Sequence, residues 1–182
     1  MKIHRPVVGI TMGDPVGIGP EIVLKALSDE AVFRECRPLV FGDPEWLGNV
    51  SEVLQRRLRL HPVDSPADGF FEPRCVDVVP VSDLSFGISP WGKPTRRTGR
   101  AMVDYILRAV DAAGAGTVDA VATAPINKRA MVMAGVDFPG HSELIAQRTG
   151  SSKVVMMLAG KTLRVGLVTI HVPIQRVPGI LT

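Results

Sequence analysis

A few short stretches carry side chains that could bind or convert a ligand. Gly140-His141-Ser142-Glu143 sets an imidazole beside a hydroxyl at the entry to a helix-like run. Such a pair can hydrogen-bond a phosphate or a carbonyl oxygen. The competing use is local, with Ser142 capping the helix and His141 packed beside it. His171 ends an apolar run and precedes Val172-Pro173. A strand-end histidine suits a metal ligand or a general base, although one histidine makes no metal site. Lys128 follows Ala124-Pro125-Ile126-Asn127 and has the charge to pair with a carboxylate or phosphate. A solvated surface lysine is the commoner state. TMGDPVGIGPEI, residues 11 to 22, arranges Gly13, Gly17 and Gly19 around Asp14. The spacing G-x-x-x-G-x-G is neither the dinucleotide G-x-G-x-x-G nor a phosphate loop ending in G-K-[ST]. Two uses remain open for these glycines. They let a ligand approach the backbone beside a helix start that accepts an anion, or they make a tight strand-to-helix connection without a ligand. His4 and His61 read as peripheral. The chain shows no nucleophile elbow, no H-E-x-x-H and no paired-cysteine zinc spacing.

These residues need elements to hold them. Residues 6 to 12, PVVGITM, are apolar on both faces, as in a buried parallel strand. Pro20 and Glu21 open a helix with Ile22, Val23, Ala26 and Leu27 as its apolar stripe. Residues 38 to 42 form the next strand, and 43 to 60 contain a short helix. Residues 61 to 95 read as an irregular excursion around a strand at 76 to 80. Residues 98 to 113 give the clearest helix, with Met102, Val103, Ile106, Leu107 and Val110 at helical spacing and Gly114 and Gly116 at its end. A strand at 118 to 123 runs into the Pro125–Lys128 turn and a short helix to Ala134. A helix follows at 142 to 148, and then strands at 154 to 158 and 163 to 170, joined at Gly160-Lys161. Alternation of strands and helices predicts an α/β fold with a largely parallel sheet. Ligands of such sheets sit beyond the carboxyl ends of strands. The glycine loop, the Pro125–Lys128 turn and His171 all fall at such ends.

Composition narrows the function classes. Of 182 residues, 46% are hydrophobic and 21% charged, which supports a core and argues against disorder. The net charge is only +3 and aromatics make up 5%, so no base-stacking platform is expected and nucleic acid is not a predicted partner. Two arginine clusters, Arg56-Arg57-Arg59 and Arg96-Arg97-Arg100, read first as solvated faces. Cys36 and Cys75 read as reduced, buried thiols of a cytoplasmic protein. No signal peptide and no membrane span are expected.

Taken in order, MGDPVGIGPEI, TAPINK, GHSE and VTIHVP resemble the 4-hydroxythreonine-4-phosphate dehydrogenase family of vitamin B6 biosynthesis. That family also contains 4-phospho-D-threonate and 4-phospho-D-erythronate dehydrogenases and a diol dehydrogenase of aromatic dicarboxylate breakdown. The resemblance runs along essentially the whole chain. It implies a three-layer α/β fold similar to isocitrate and isopropylmalate dehydrogenases, with two subdomains, a cleft and a homodimer. It further implies NAD- or NADP-dependent oxidation of a phosphorylated hydroxy acid, then decarboxylation. A divalent metal such as Zn, Mg, Mn or Co would assist. By motif, His141 and Ser142 match the substrate-binding His-Thr pair, and His171 matches the first of three metal-binding histidines. Asp14, Asn127 and Lys128 are further substrate-site candidates. Ser142 stands where threonine is usual. Asn127 stands where some biosynthetic members have histidine, and Asn-Lys is the pairing of phosphothreonate-type members. Residues 1–182 correspond to the N-terminal part of such an enzyme. The other two metal histidines and much of the nicotinamide site belong to the C-terminal part, so the expectation is that this stretch alone is inactive.

Overall fold

The computed structural model describes residues 5–84 and 91–181. Five strands form one sheet: β1 (Val7–Thr11), β2 (Arg37–Gly42), β3 (Arg59–Pro62), β4 (Cys75–Pro80) and β5 (Ala120–Thr123). Their order is β3-β4-β2-β1-β5, and every neighbouring pair runs parallel. Parallel strands need crossovers, and the helices supply them. Helices α1 (Gly19–Ala26) and α2 (Glu30–Glu35) link β1 to β2, α3 (Pro44–Val53) links β2 to β3, and α4 (Arg96–Gly114) precedes β5. Then come α5 (Lys128–Met133), α6 (His141–Thr149) and a hairpin of β6 (Met157–Ala159) and β7 (Arg164–Gly166).

The sheet is apolar on both faces because both are covered. Val40 clusters with Leu24 of α1 and with Leu47 and Val50 of α3. Its neighbours Leu39 and Phe41 point the other way and cluster with Ala109 of α4. Helix α4 begins with a reciprocal cap: Thr95 Oγ1 accepts from Thr98 N at 3.2 Å, and Thr98 Oγ1 accepts from Thr95 N at 2.9 Å. A further apolar stripe of α4 (Met102, Val103, Ile106, Val110) packs on Ala130 and Met131 of α5 and Leu144 of α6.

Several elements differ from the sequence reading. The stretch 61 to 95 is more ordered than expected: β3 runs from Arg59 to Pro62. As a short polar edge strand with a terminal proline it has no apolar alternation to betray it. Residues 85–90 of that stretch lie outside the described residues, as does His4. Helix α2 was not anticipated either. It buries only Phe33 and is started by the Asp29 side chain, which accepts from Ala31 N. Both hairpin strands are shorter than expected, and every residue of β6 and β7 is exposed. With no packed face, only residues near the turn pair. Cys75 is buried as expected, but Cys36 is only partly covered; both are free thiols. Among the described residues, no helix is long and apolar enough to cross a membrane.

Candidate active site

β1 and β5 lie side by side, with Thr11 opposite Thr123, so the loops leaving their carboxyl ends meet. Asp14 N donates to the Pro125 carbonyl at 3.0 Å, and Ala124 N donates to Thr11 Oγ1 at 3.2 Å. The glycines make this junction possible. Gly13 has φ of 74°, and a Cβ there would stand 2.5 Å from the Pro125 oxygen. A Cβ on Gly19 would overlap the Met12 carbonyl oxygen, and one on Gly17 would come within 3.2 Å of Asp14 Oδ2. The space these glycines leave is therefore filled by Met12, Asp14 and Pro125. The glycines thus make a tight strand-to-helix connection. Asp14 is buried and its Oδ1 accepts from Val16 N at 3.1 Å, forming an Asx turn. Trp46 Nε1 fastens the loop from α3 by donating to the Pro15 carbonyl at 2.6 Å. Gly92 N donates to the Val16 carbonyl at 2.8 Å.

The β5 turn carries the other candidates. Asn127 caps α5, its Oδ1 accepting from Ala130 N at 3.1 Å. Its amide N–H groups have no partner among the described residues. Lys128 is exposed at the first position of α5. Helix α6 is held on α4 by buried Leu144 and by Arg148, whose Nε and Nη2 reach the Asp111 carboxylate at 2.6 and 2.7 Å. This fork holds the Asp111 carboxyl below its ordinary range.

His141 opens α6, and the Ala124 backbone interacts with its ring. Nε2 is buried and has no partner among the described residues. Burial pushes the His141 pKa below its ordinary 6.5, against the opposing pull of the Ala124 hydrogen bond. Burial thus favours the neutral ring. A buried ring nitrogen without a partner calls for one, on a ligand or water. Ser142 is exposed and does not cap the helix; Gly140 is the N-cap and makes no side-chain bond.

The structure gathers Asp14, Asn127, Lys128 and His141 around segment 124–128. His171 is exposed, has φ of 56°, and shares no hydrogen bond or ion pair with that group among the described residues. Among the described residues, no group of three metal-donor side chains includes His171. Sequence reasoning missed the Ala124 backbone beside the His141 ring. It is backbone, and no side-chain pattern announces it.

The lowered His141 pKa has a consequence for stability. The unfolded state takes up its proton near 6.5, while the folded state resists until lower pH. His141 therefore favours the fold above 6.5, and this contribution is lost as pH falls through that value. Urea unfolding of the chain as a function of pH is expected to show falling stability there, and His141→Asn to flatten that slope. An unchanged slope in the variant would place the effect elsewhere.

Comparison with known proteins gives the same picture. Residues 34–182 match the family described as pyridoxal phosphate biosynthetic protein PdxA. The chain is 49% identical over 182 residues to a 4-hydroxythreonine-4-phosphate dehydrogenase of Desulfosudis oleivorans, covering 98% of this chain and 52% of that one. It is 40% identical over 172 residues to a D-threonate 4-phosphate dehydrogenase of Cupriavidus necator, covering 94% and 51%. A crystal structure of a 4-hydroxythreonine-4-phosphate dehydrogenase from Burkholderia phymatum superposes with a TM-score of 0.89 at 36% identity, over 94% of this chain and 52% of that one. The chain spans about half the length of the curated relatives it matches. With the family match, the sequence relatives and the superposed crystal structure in agreement, the chain belongs to the PdxA family of dehydrogenases.

Proposed function

We propose that this chain supplies the substrate-holding part of a dehydrogenase acting on a phosphorylated hydroxy acid, with 4-phosphohydroxy-L-threonine the first candidate. The observation that carries the reading is the buried, unpartnered Nε2 of His141. Such a buried ring nitrogen suits a substrate hydroxyl, the group a dehydrogenase oxidises. Ser142 lies beside it, and Lys128 and the Asn127 amide offer donors for phosphate or carboxylate oxygens. Asp14 supports the site through its buried turn. The reading includes NAD (or NADP) as hydride acceptor and decarboxylation of the resulting keto acid. It includes a divalent metal with His171 as one ligand. The described residues complete neither site, so no step is derived through them. An isocitrate/isopropylmalate dehydrogenase-like two-subdomain layout, a homodimer and a cytoplasmic setting belong to the same proposal.

Asn127 favours a second substrate reading. Where a histidine would offer a ring nitrogen, Asn127 offers amide donors, as in the phosphothreonate-type pattern, so 4-phospho-D-threonate or 4-phospho-D-erythronate is the alternative. A reading of another class is a phospho-ligand-binding or partner-binding piece without turnover. The test uses NMR of the 182-residue chain titrated with 4-phosphohydroxythreonine and with 4-phosphothreonate. The His141 ring resonances are expected to shift with one of them, without NADH formation. The complete protein is expected to form NADH with that same compound once NAD and metal are present. No shift with either ester, together with no turnover by the complete protein, would overturn the reading.

A further inference from the structure

A different cluster lies at the far edge of the sheet, away from the β1 and β5 loops. Register builds it. The parallel pairing of β3 with β4 sets His61 opposite Asp77, and Cys75, two residues before Asp77, projects to the same face. His61 Nδ1 lies 2.7 Å from Asp77 Oδ1. Asp77 is fully buried, and its carboxylate also accepts from Phe70 N at 3.2 Å and Phe71 N at 2.8 Å. The Phe70 ring stacks on the imidazole at 4.0 Å. His61 was read from sequence as peripheral; the structure instead locks it between an aromatic face and a buried carboxylate. One ligand atom from each of His61, Cys75 and Asp77 lies within 4.8 Å of the others.

A hydrogen-bonded His–Asp anchor explains two of these residues and leaves the third unused. Cys36 donates its thiol to the Val32 carbonyl at 3.5 Å, whereas the Cys75 thiol has no hydrogen-bond partner among the described residues. The donor set is one sulfur, one imidazole nitrogen and one carboxylate oxygen. Hard oxygen-seeking ions such as Mg2+ have little use for a thiolate, while zinc accepts all three donor types. We propose that His61, Cys75 and Asp77 bind a zinc ion, with water as the fourth ligand. The Cys75 thiol gives its proton to solvent on binding, so the thiolate and the Asp77 carboxylate together neutralise the ion. His61 ligates as neutral imidazole in place of its hydrogen bond to Asp77. Two ligands on a tetrahedral zinc sit roughly 3.3 Å apart, so the partly exposed His61 must withdraw slightly. The ion would clamp β3, an edge of the sheet, to β4 and to the turn that follows Phe70.

The probes are Zn2+ and Co2+ added to the 182-residue chain. The expected result is one zinc retained after buffer exchange and a thiolate-to-cobalt charge-transfer band in the near ultraviolet. The band persists in Cys36→Ser and His171→Ala and disappears in Cys75→Ser. His61→Gln weakens zinc by more than roughly tenfold, the loss that removing even an outer-shell partner brings. Absence of a thiolate band in the unaltered chain overturns the proposal without any variant having to fold. So does a band that Cys36→Ser abolishes.

Discussion

Gly99→Ala is expected to destabilise the chain by about 3 kcal/mol, the upper part of the range for overpacked interiors. Gly99 is buried on α4 where that helix crosses the start of α5. A Cβ there would overlap the Ala130 carbonyl oxygen and stand 2.6 Å from its carbon. Backbone cannot rotate away as a side-chain tip can, so α5 must move off α4 as a body. That movement opens the cluster of Met102, Ile106, Ala130, Met131 and Leu144. It also shifts Asn127 and Lys128, which begin α5. Thermal unfolding followed by circular dichroism should show Tm lower by about 6–12 °C, at 2–4 °C per kcal/mol for a chain of this size. The His141 ring resonances should move in the same variant, because their anchor at Ala124 leads into α5. A Tm near that of the unaltered chain would mean that the α4–α5 contact yields without cost.

Asp43→Ala is expected to cost a similar amount, about 3 kcal/mol, from lost capping and orphaned donors. Asp43 sits just past β2 and is buried. Its Oδ1 caps α3 by accepting from Trp46 N at 2.9 Å. Its Oδ2 accepts from Leu84 N at 2.7 Å and from Ser82 Oγ at 3.1 Å. Ser82 Oγ in turn meets the Tyr105 hydroxyl of α4 at 2.6 Å. Burial pushes the Tyr105 pKa far above its ordinary value, so the phenol stays a donor throughout. One carboxylate thus ties together α3, the segment after β4 and the central helix. Alanine removes the acceptor used by the Trp46 and Leu84 N–H groups and by the Ser82 hydroxyl at once. Asp43→Asn keeps an oxygen for the cap and should lose less. Urea midpoints of the two variants check the order, and equal losses would show that the charge and the Oδ2 bonds, not the cap, dominate.

How much of this was legible in the sequence depends on what each part is made of. Helix α4 announces itself because its burial follows a period that side-chain types record, and β1 and β2 do so as short apolar runs. The β3 edge, with the sequence RLHP, carries no such record, so its strand and the His61–Asp77 contact were invisible. Motif order pointed to His141 and Ser142. It could not show that the His141 ring meets the Ala124 backbone, or that Gly140 rather than Ser142 caps α6. The glycine loop was ambiguous for a physical reason: room for a ligand and room for neighbouring backbone need the same missing Cβ. Only the structure shows that Met12 and Pro125 border that space.

The pairing of β1 with β5 also sets a schedule. Val7 N meets Asp119 Oδ2 at 2.7 Å across 112 positions of sequence. At cellular synthesis rates that separation takes roughly 6 to 22 s to translate. Throughout that interval β1 can find β2, but its other edge has no partner, and Asp14 has no Pro125 to donate to. The loop-closure entropy of this last strand is met only when Thr11 and Ala124 come together. The junction of the β1 and β5 loops is thus the last part of the sheet to form, and detachment of β5 alone would dismantle it while β2, β3 and β4 stay paired.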